Sequence, residues 1–219
     1  MNSNPPVSGF MAFNLANDKA ITVGLSGNPV TNLPLSFTSY TGGYLNIYSG
    51  NRLVQTFDYN SNNQLDSSTY TFEPQKYYSL FVTGTNGHYK NVIVGDNYDS
   101  LSTTQAYIRY INAIPDSSSP TVTISANESN VADNAAPFNY VSNFIAVTPG
   151  TVNVQINNGG TINKSRTITL EQQKAYTVLL AGIPGSTGSD SLQIRYVENG
   201  TFSQKAQKAS STGGSSGSN

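Results

Sequence analysis

The chain holds one histidine, His88, and no cysteine. A Ser or Thr nucleophile needs a base beside it. His88 follows Gly87 in a Gly- and Asn-rich stretch, with no acid and nucleophile in a matching motif, and reads as an exposed turn residue. Paired carboxylates suit glycoside hydrolysis, but Glu73 and Glu171 stand at equivalent positions of two related segments, where a turn role accounts for both. Asp96 and Asp99, in Asp96-Asn97-Tyr98-Asp99-Ser100, offer hard oxygen ligands where the halves of the chain meet, and a Ca2+ ion there would stiffen the junction. The run lacks the Asp-x-Asp-x-Asp-Gly order of a calcium loop, and a polar linker explains it without metal. No enzyme is expected, and no cofactor beyond that Ca2+.

The remaining chemistry lies in tyrosines. In Tyr44-Leu45-Asn46-Ile47-Tyr48, period-2 alternation turns Leu45 and Ile47 one way and Tyr44, Asn46 and Tyr48 the other. Tyrosine rings with a neighbouring amide stack on sugars or anchor a protein partner. Thr151, Asn153 and Gln155 are taken as the second half's plainly polar equivalents, so any specific ligand is expected on the Tyr44/Tyr48 face.

The elements that must position these residues are written twice. Thr69-Tyr70-Thr71-Phe72-Glu73-Pro74-Gln75-Lys76-Tyr77-Tyr78 returns 98 positions later as Thr167-Ile168-Thr169-Leu170-Glu171-Gln172-Gln173-Lys174-Ala175-Tyr176. The following apolar runs close on Gly84 and Gly182, and the same offset aligns Asn14 with Asn112 and Asp18 with Asp116. A period this long is one small domain rather than a solenoid unit. Short alternating runs rich in Val, Ile, Tyr, Phe and Thr, punctuated by Gly, Pro and Asn, predict strands. Val131 to Val141 is the one weak helical stretch. The clearest hairpin joins Tyr77–Val82 to Lys90–Val94 across Asn86-Gly87. Tyr78 and Tyr176 follow a polar corner, where Greek-key sandwiches place a tyrosine whose hydroxyl bonds upstream backbone; the alternative is a core aromatic with its tip in water. These features predict two tandem immunoglobulin-like antiparallel β-sandwiches at residues 10–102 and 103–205, each with its own core, between a flexible segment 1–9 and a flexible Ser/Gly tail 206–219. Counting from Gly43 to Lys76 against Gly150 to Lys174 leaves nine additional residues in the first copy, expected at a sandwich edge between Arg52 and Ser68.

Only 11% of residues are charged and the net charge is −1, so the clustered Lys and Arg that nucleic acid or an anionic membrane requires are absent. Asn, Ser, Thr and Tyr fill the deficit, as on exported proteins. No apolar run approaches the length of a membrane span. Met1-Asn2-Ser3-Asn4-Pro5-Pro6 lacks the basic and apolar regions of a signal peptide, so a mature form without its leader is expected.

Ala106-Tyr107-Ile108-Arg109-Tyr110-Ile111-Asn112-Ala113-Ile114-Pro115-Asp116, then Thr121-Val122-Thr123-Ile124, Val147-Thr148-Pro149-Gly150-Thr151-Val152-Asn153-Val154 and Gln173 to Gly182 resemble, in order and spacing, the bacterial domain-of-unknown-function 4397 family. The first half resembles a diverged copy, with Asn17 where the motif's proline would stand. The resemblance implies an exported, often cell-surface or lipid-anchored β-sandwich of unestablished activity, with no catalytic residues to carry over. The expected function is therefore a non-catalytic structural or adhesive module, exported to the cell surface or periplasm, with an extracellular or outer-membrane-surface location expected and a protein or glycan as partner; the alternative is a glycan-binding module using Tyr44, Asn46 and Tyr48.

Overall fold

The computed structural model describes residues 4–202; the tail 206–219 lies outside them. The first copy runs through β1 (Val7–Ala16), β2 (Ile21–Leu25), β3 (Asn28–Pro29), β4 (Leu45–Tyr48), β5 (Gly50–Asp58), β6 (Gln64–Phe72), β7 (Tyr77–Thr85) and β8 (His88–Asp96). The second repeats that order as β9 (Ala106–Asn112), β10 (Thr121–Ala126), β11 (Ser129–Ala135), β12 (Ile145–Val147), β13 (Gly150–Asn157), β14 (Asn163–Leu170), β15 (Lys174–Ala181) and β16 (Gln193–Thr201). Sheets β4-β1-β7-β8 and β3-β2-β5-β6 form one sandwich, and β12-β9-β15-β16 and β11-β10-β13-β14 the other. The fold is thus all-β, with two sandwiches of one topology. Pairings are antiparallel except β1–β7 and β9–β15, which run parallel and seat the first strand of each copy beside its seventh.

Several details repeat for physical reasons. Asn14 and Asn112 are fully buried. Each amide donates to a carbonyl of the chain beyond its strand, Leu35 at 2.9 Å and Ala136 at 2.8 Å, and accepts from the backbone N–H two residues on, at 2.9 and 3.0 Å. Each thereby closes the same loop at the top of its sandwich. Gly84 and Gly182 lie at φ 109° and 103°, where a Cβ would come within 1.9 Å of the His88 carbonyl oxygen and 2.2 Å of that of Ser191. At the corners the Tyr78 hydroxyl accepts from the Glu73 backbone N–H at 2.9 Å, and that of Tyr176 from Glu171 at 3.0 Å. The Asn86-Gly87 turn has the two positive φ values, 52° and 85°, that a tight hairpin needs. Tyr176→Phe should lower stability by about 1–3 kcal/mol, the cost of leaving the Glu171 N–H without a partner; the urea midpoint of the variant measures it.

Four expectations need correction. Val131–Val141 is not helical: its first half belongs to β11, because Val131 and Ala132 pack into the second core while their neighbours face outward. β1 begins at Val7, so Val7 to Gly9 are strand rather than flexible lead-in; Ser8 is held by Glu73 and Ser49. No nine-residue insertion exists between Arg52 and Ser68. That segment is β5, central between β2 and β6, together with much of β6. The counterpart of Gly150 is Gly50, since Gly50 pairs with Phe72 as Gly150 pairs with Leu170.

The fourth concerns the cores. Phe10, Ala12, Leu80 and Val82 fill the first sandwich, and Ile108, Tyr110, Val178 and Leu180 the second. The alternate residues of the same strands, Met11, Phe13, Leu15 and Phe81 against Ile111, Ala113, Leu179 and Ala181, form a third core between the copies. Sheets β4-β1-β7-β8 and β12-β9-β15-β16 therefore lie back to back and are buried on both faces, which makes four layers in all.

Candidate functional site

The third core has a polar edge. Arg109, on β9, and Asp96, at the end of β8, are 2% and 4% exposed and form an ion pair through Nη1 and Oδ1. Two charges removed from water persist only if their polar atoms find partners, and here each nitrogen of the guanidinium and each oxygen of the carboxylate has one. Arg109 Nη2 donates to Ser79 Oγ at 2.8 Å, and Ser79 donates to Asp96 Oδ2 at 2.6 Å. Arg109 Nε donates to Thr177 Oγ1 at 2.9 Å, and Thr177 donates to Asn199 Oδ1 at 2.5 Å. The Tyr44 hydroxyl donates to Asp96 Oδ2 at 2.5 Å, shares a 2.5 Å hydrogen bond with the Tyr98 hydroxyl and accepts from Asn199 Nδ2 at 3.4 Å. The ring closes with members from both copies. The guanidinium lies 4.6 Å from the Phe144 ring centroid and 5.6 Å from that of Phe81, the geometry of cation–π attraction.

Burial, with Asp96 beside it, pushes the Tyr44 phenol well above its ordinary value, and burial does the same for Tyr98. Burial also raises Tyr110, up to about 12. The folded chain therefore keeps these protons above pH 10, where unfolded tyrosine releases them. Stability is full below pH 10 and falls as pH rises past it, by up to about 1.4 kcal/mol per pH unit for each such tyrosine. Urea midpoints at pH 8, 10 and 11 should show the decline, and Tyr44→Phe should flatten it.

The sequence-read residues separate. Asp96 and Asp99 are not arranged as a Ca2+ pair, since each is taken by a cation of the chain, Asp96 by Arg109 and Asp99 by Lys76 at 2.5 Å. Donors fill both oxygens of Asp96, the opposite of what a metal requires. Among the described residues no three His, Asp or Glu side chains are grouped as metal ligands. Tyr44 is not an exposed ring on one face with Tyr48: its hydroxyl is committed to the junction, while Tyr48 is 59% exposed and Asn46 exposed. The second copy's equivalents are not Thr151, Asn153 and Gln155. The strand matching β4 is β12, because Phe10 pairs with Leu45 as Ile108 pairs with Ile145. Tyr44 thus corresponds to Phe144, another junction ring, and Tyr48 to Thr148. Glu73 and Glu171 remain at their separate corners, Glu171 pairing with Lys174 at 2.8 Å, and His88 is exposed in its hairpin. Asp18 accepts from the Asn86 N–H and the Tyr89 hydroxyl, and Asp116 holds its own turn through Ser118.

Beside the polar ring, the copies and their connecting segment enclose a cleft of about 670 Å³ lined by Tyr44, Tyr77, Tyr98, Asn97, Asn199 and Phe202 among others. Sequence reasoning missed both ring and cleft. A lone arginine inside the apolar run Ala106–Ile111 was the available signal for the first.

A family described as domain of unknown function (DUF4397) matches residues 11–119 and again residues 106–210. The chain belongs to the DUF4397 family. The first match takes in most of the first sandwich and runs on through β9, and the second takes in the second sandwich, so the unit written twice in the sequence is the DUF4397 domain. No curated protein matches the chain. A solved structure described as alpha-glucan recognition by family 41 carbohydrate-binding modules from streptococcal virulence factors aligns over 78% of this DUF4397 pair and 93% of its own chain, at 10% identity and a TM-score of 0.28. A likeness that distant carries no argument about what the DUF4397 pair binds. No helix among the described residues is long and apolar enough to cross a membrane.

Proposed function

We propose that this DUF4397 pair is a non-catalytic structural or adhesive module of the bacterial outer surface, acting as one stiff body of two sandwiches. The observation that carries the reading is the double-sided burial of the two inner sheets, with a closed polar ring at their edge. Tandem domains joined only by a linker move independently by default, whereas a large apolar interface fixes their relation. The well-placed ionisable groups support the non-catalytic part, because they are spent on structure: Arg109 on Asp96, Lys76 on Asp99, and Lys174 on Glu171 and Glu198. A surface of few charges and many hydroxyls and amides suits a module that meets partners outside the cell.

Labelling intact cells of the source organism with antibodies against the chain tests the placement. Label on intact cells, removed by external protease, is the expected result, together with weaker adherence of cells lacking the protein. Label that appears only after lysis would overturn the reading.

A further inference from the structure

The cleft between the copies combines groups that neither sandwich presents alone. Its 670 Å³ falls within the range of about 300–1,000 Å³ typical of small-ligand sites. Tyr77, 43% exposed, turns its ring into this space. That ring is held in place: it packs at 4.9 Å from Tyr44 and 5.7 Å from Tyr98, both edge-on. It also lies so close over Gly9 that a Cβ there would stand 2.4 Å from Tyr77 Cδ1. Tyr44 and Tyr98 are in turn pinned by the polar ring. An aromatic face fixed before binding loses little entropy when a ligand stacks on it.

Around the ring stand the exposed side chains of Gln75, Asn97 and Glu73, with Thr201 on the second copy. Charge narrows the ligand class. Lys76 pairs with Asp99 and Asp96 with Arg109, so among the described lining residues Glu73 is the one carboxylate outside an ion pair. Among the described lining residues the one cation, Lys76, is already engaged by Asp99, which disfavours a phosphate or sulfate. A lipid tail would bury the amides and hydroxyls without partners, at a cost. A neutral sugar matches both parts, laying its C–H face on the tyrosine ring while its hydroxyls exchange hydrogen bonds with amides and carboxylate.

We propose that the interdomain cleft binds a neutral oligosaccharide, with Tyr77 as the stacking platform and Gln75, Asn97 and Glu73 as hydroxyl partners. The site deepens the surface-module reading by naming its partner class, and it exists only when both copies are docked.

Affinity electrophoresis of the full chain tests this in gels containing starch, barley β-glucan, galactomannan or xylan. Retardation is expected in at least one gel, weakened at least tenfold by Tyr77→Ala and unchanged by Tyr48→Ala. If Tyr77→Ala fails to fold, the double variant Gln75→Ala/Asn97→Ala, altering exposed side chains only, is expected to weaken retardation likewise. Free mobility in all four gels would overturn the proposal, as would retardation that survives these substitutions or a cleft shown to take a peptide instead. Surface label on intact cells combined with free mobility would reject the saccharide while keeping the surface module.

Discussion

Arg109→Met is expected to destabilise the chain by about 3–5 kcal/mol, because it leaves Asp96 buried with its charge uncompensated. In a protein of this size that corresponds to a fall in Tm of roughly 6–20 °C. Two further losses act in the same direction: the guanidinium no longer lies against Phe144 and Phe81, and Ser79 and Thr177 each lose a donor. Asp96→Asn alone should also be costly: with its oxygen kept where Ser79 and Tyr44 both donate, at Oδ2, its NH2 group would face the guanidinium, and Arg109 would keep a buried charge without a counterion. The double variant should cost less than the sum of the singles, with a coupling of about 0.5–3 kcal/mol. Thermal melts of the four proteins in the cycle measure it. Additive losses would mean that the two side chains do not depend on one another.

Separating the copies should have the second large effect. A chain of residues 103–202 alone would expose Ile111, Ala113, Leu179 and Ala181 to water and strand Arg109 without Asp96. Burying the six larger side chains of the shared core, Met11, Phe13, Leu15, Phe81, Ile111 and Leu179, is worth on the order of 10 kcal/mol. That matches the whole stability of a typical domain, about 5–15 kcal/mol. The isolated copy is therefore expected to self-associate or bind a hydrophobic dye, without a cooperative melt at the temperature of the intact chain. Gel filtration and dye fluorescence report this. A monomeric, dye-silent second copy with the melt of the intact chain would show that the shared core contributes little.

The sequence carried the repeat, the strands and the hairpin, because period-2 patterns and Asn-Gly turns are local. It also carried the shared core, as near-continuous apolar runs. Phe10 to Leu15 is apolar at every position but Asn14, Tyr78 to Val82 at every position but Ser79, and Ala106 to Ile111 at every position but Arg109. A strand with one wet face alternates, whereas an almost continuous run belongs to a strand buried on both sides. The exceptions carry information too: Asn14 closes a loop, and Ser79 and Arg109 belong to the polar ring. The Arg109–Asp96 pairing itself was not legible, since the two lie on strands of different sandwiches and their meeting depends on how the copies dock. The place of Tyr44 was illegible for a related reason. Alternation gave it the side opposite Leu45 but could not tell that this side meets another sheet. Matching Gly43 with Gly150 concealed its counterpart Phe144, which short, weakly similar strands did not expose.

Differential scanning calorimetry of the intact chain tests most directly whether the two DUF4397 sandwiches form one body. The structure predicts a single transition with an enthalpy of about 140 kcal/mol near 60 °C, for roughly 200 ordered residues, and equal calorimetric and van't Hoff enthalpies. Two transitions, each carrying about 60–80 kcal/mol as separate domains of about 100 residues would, would contradict it.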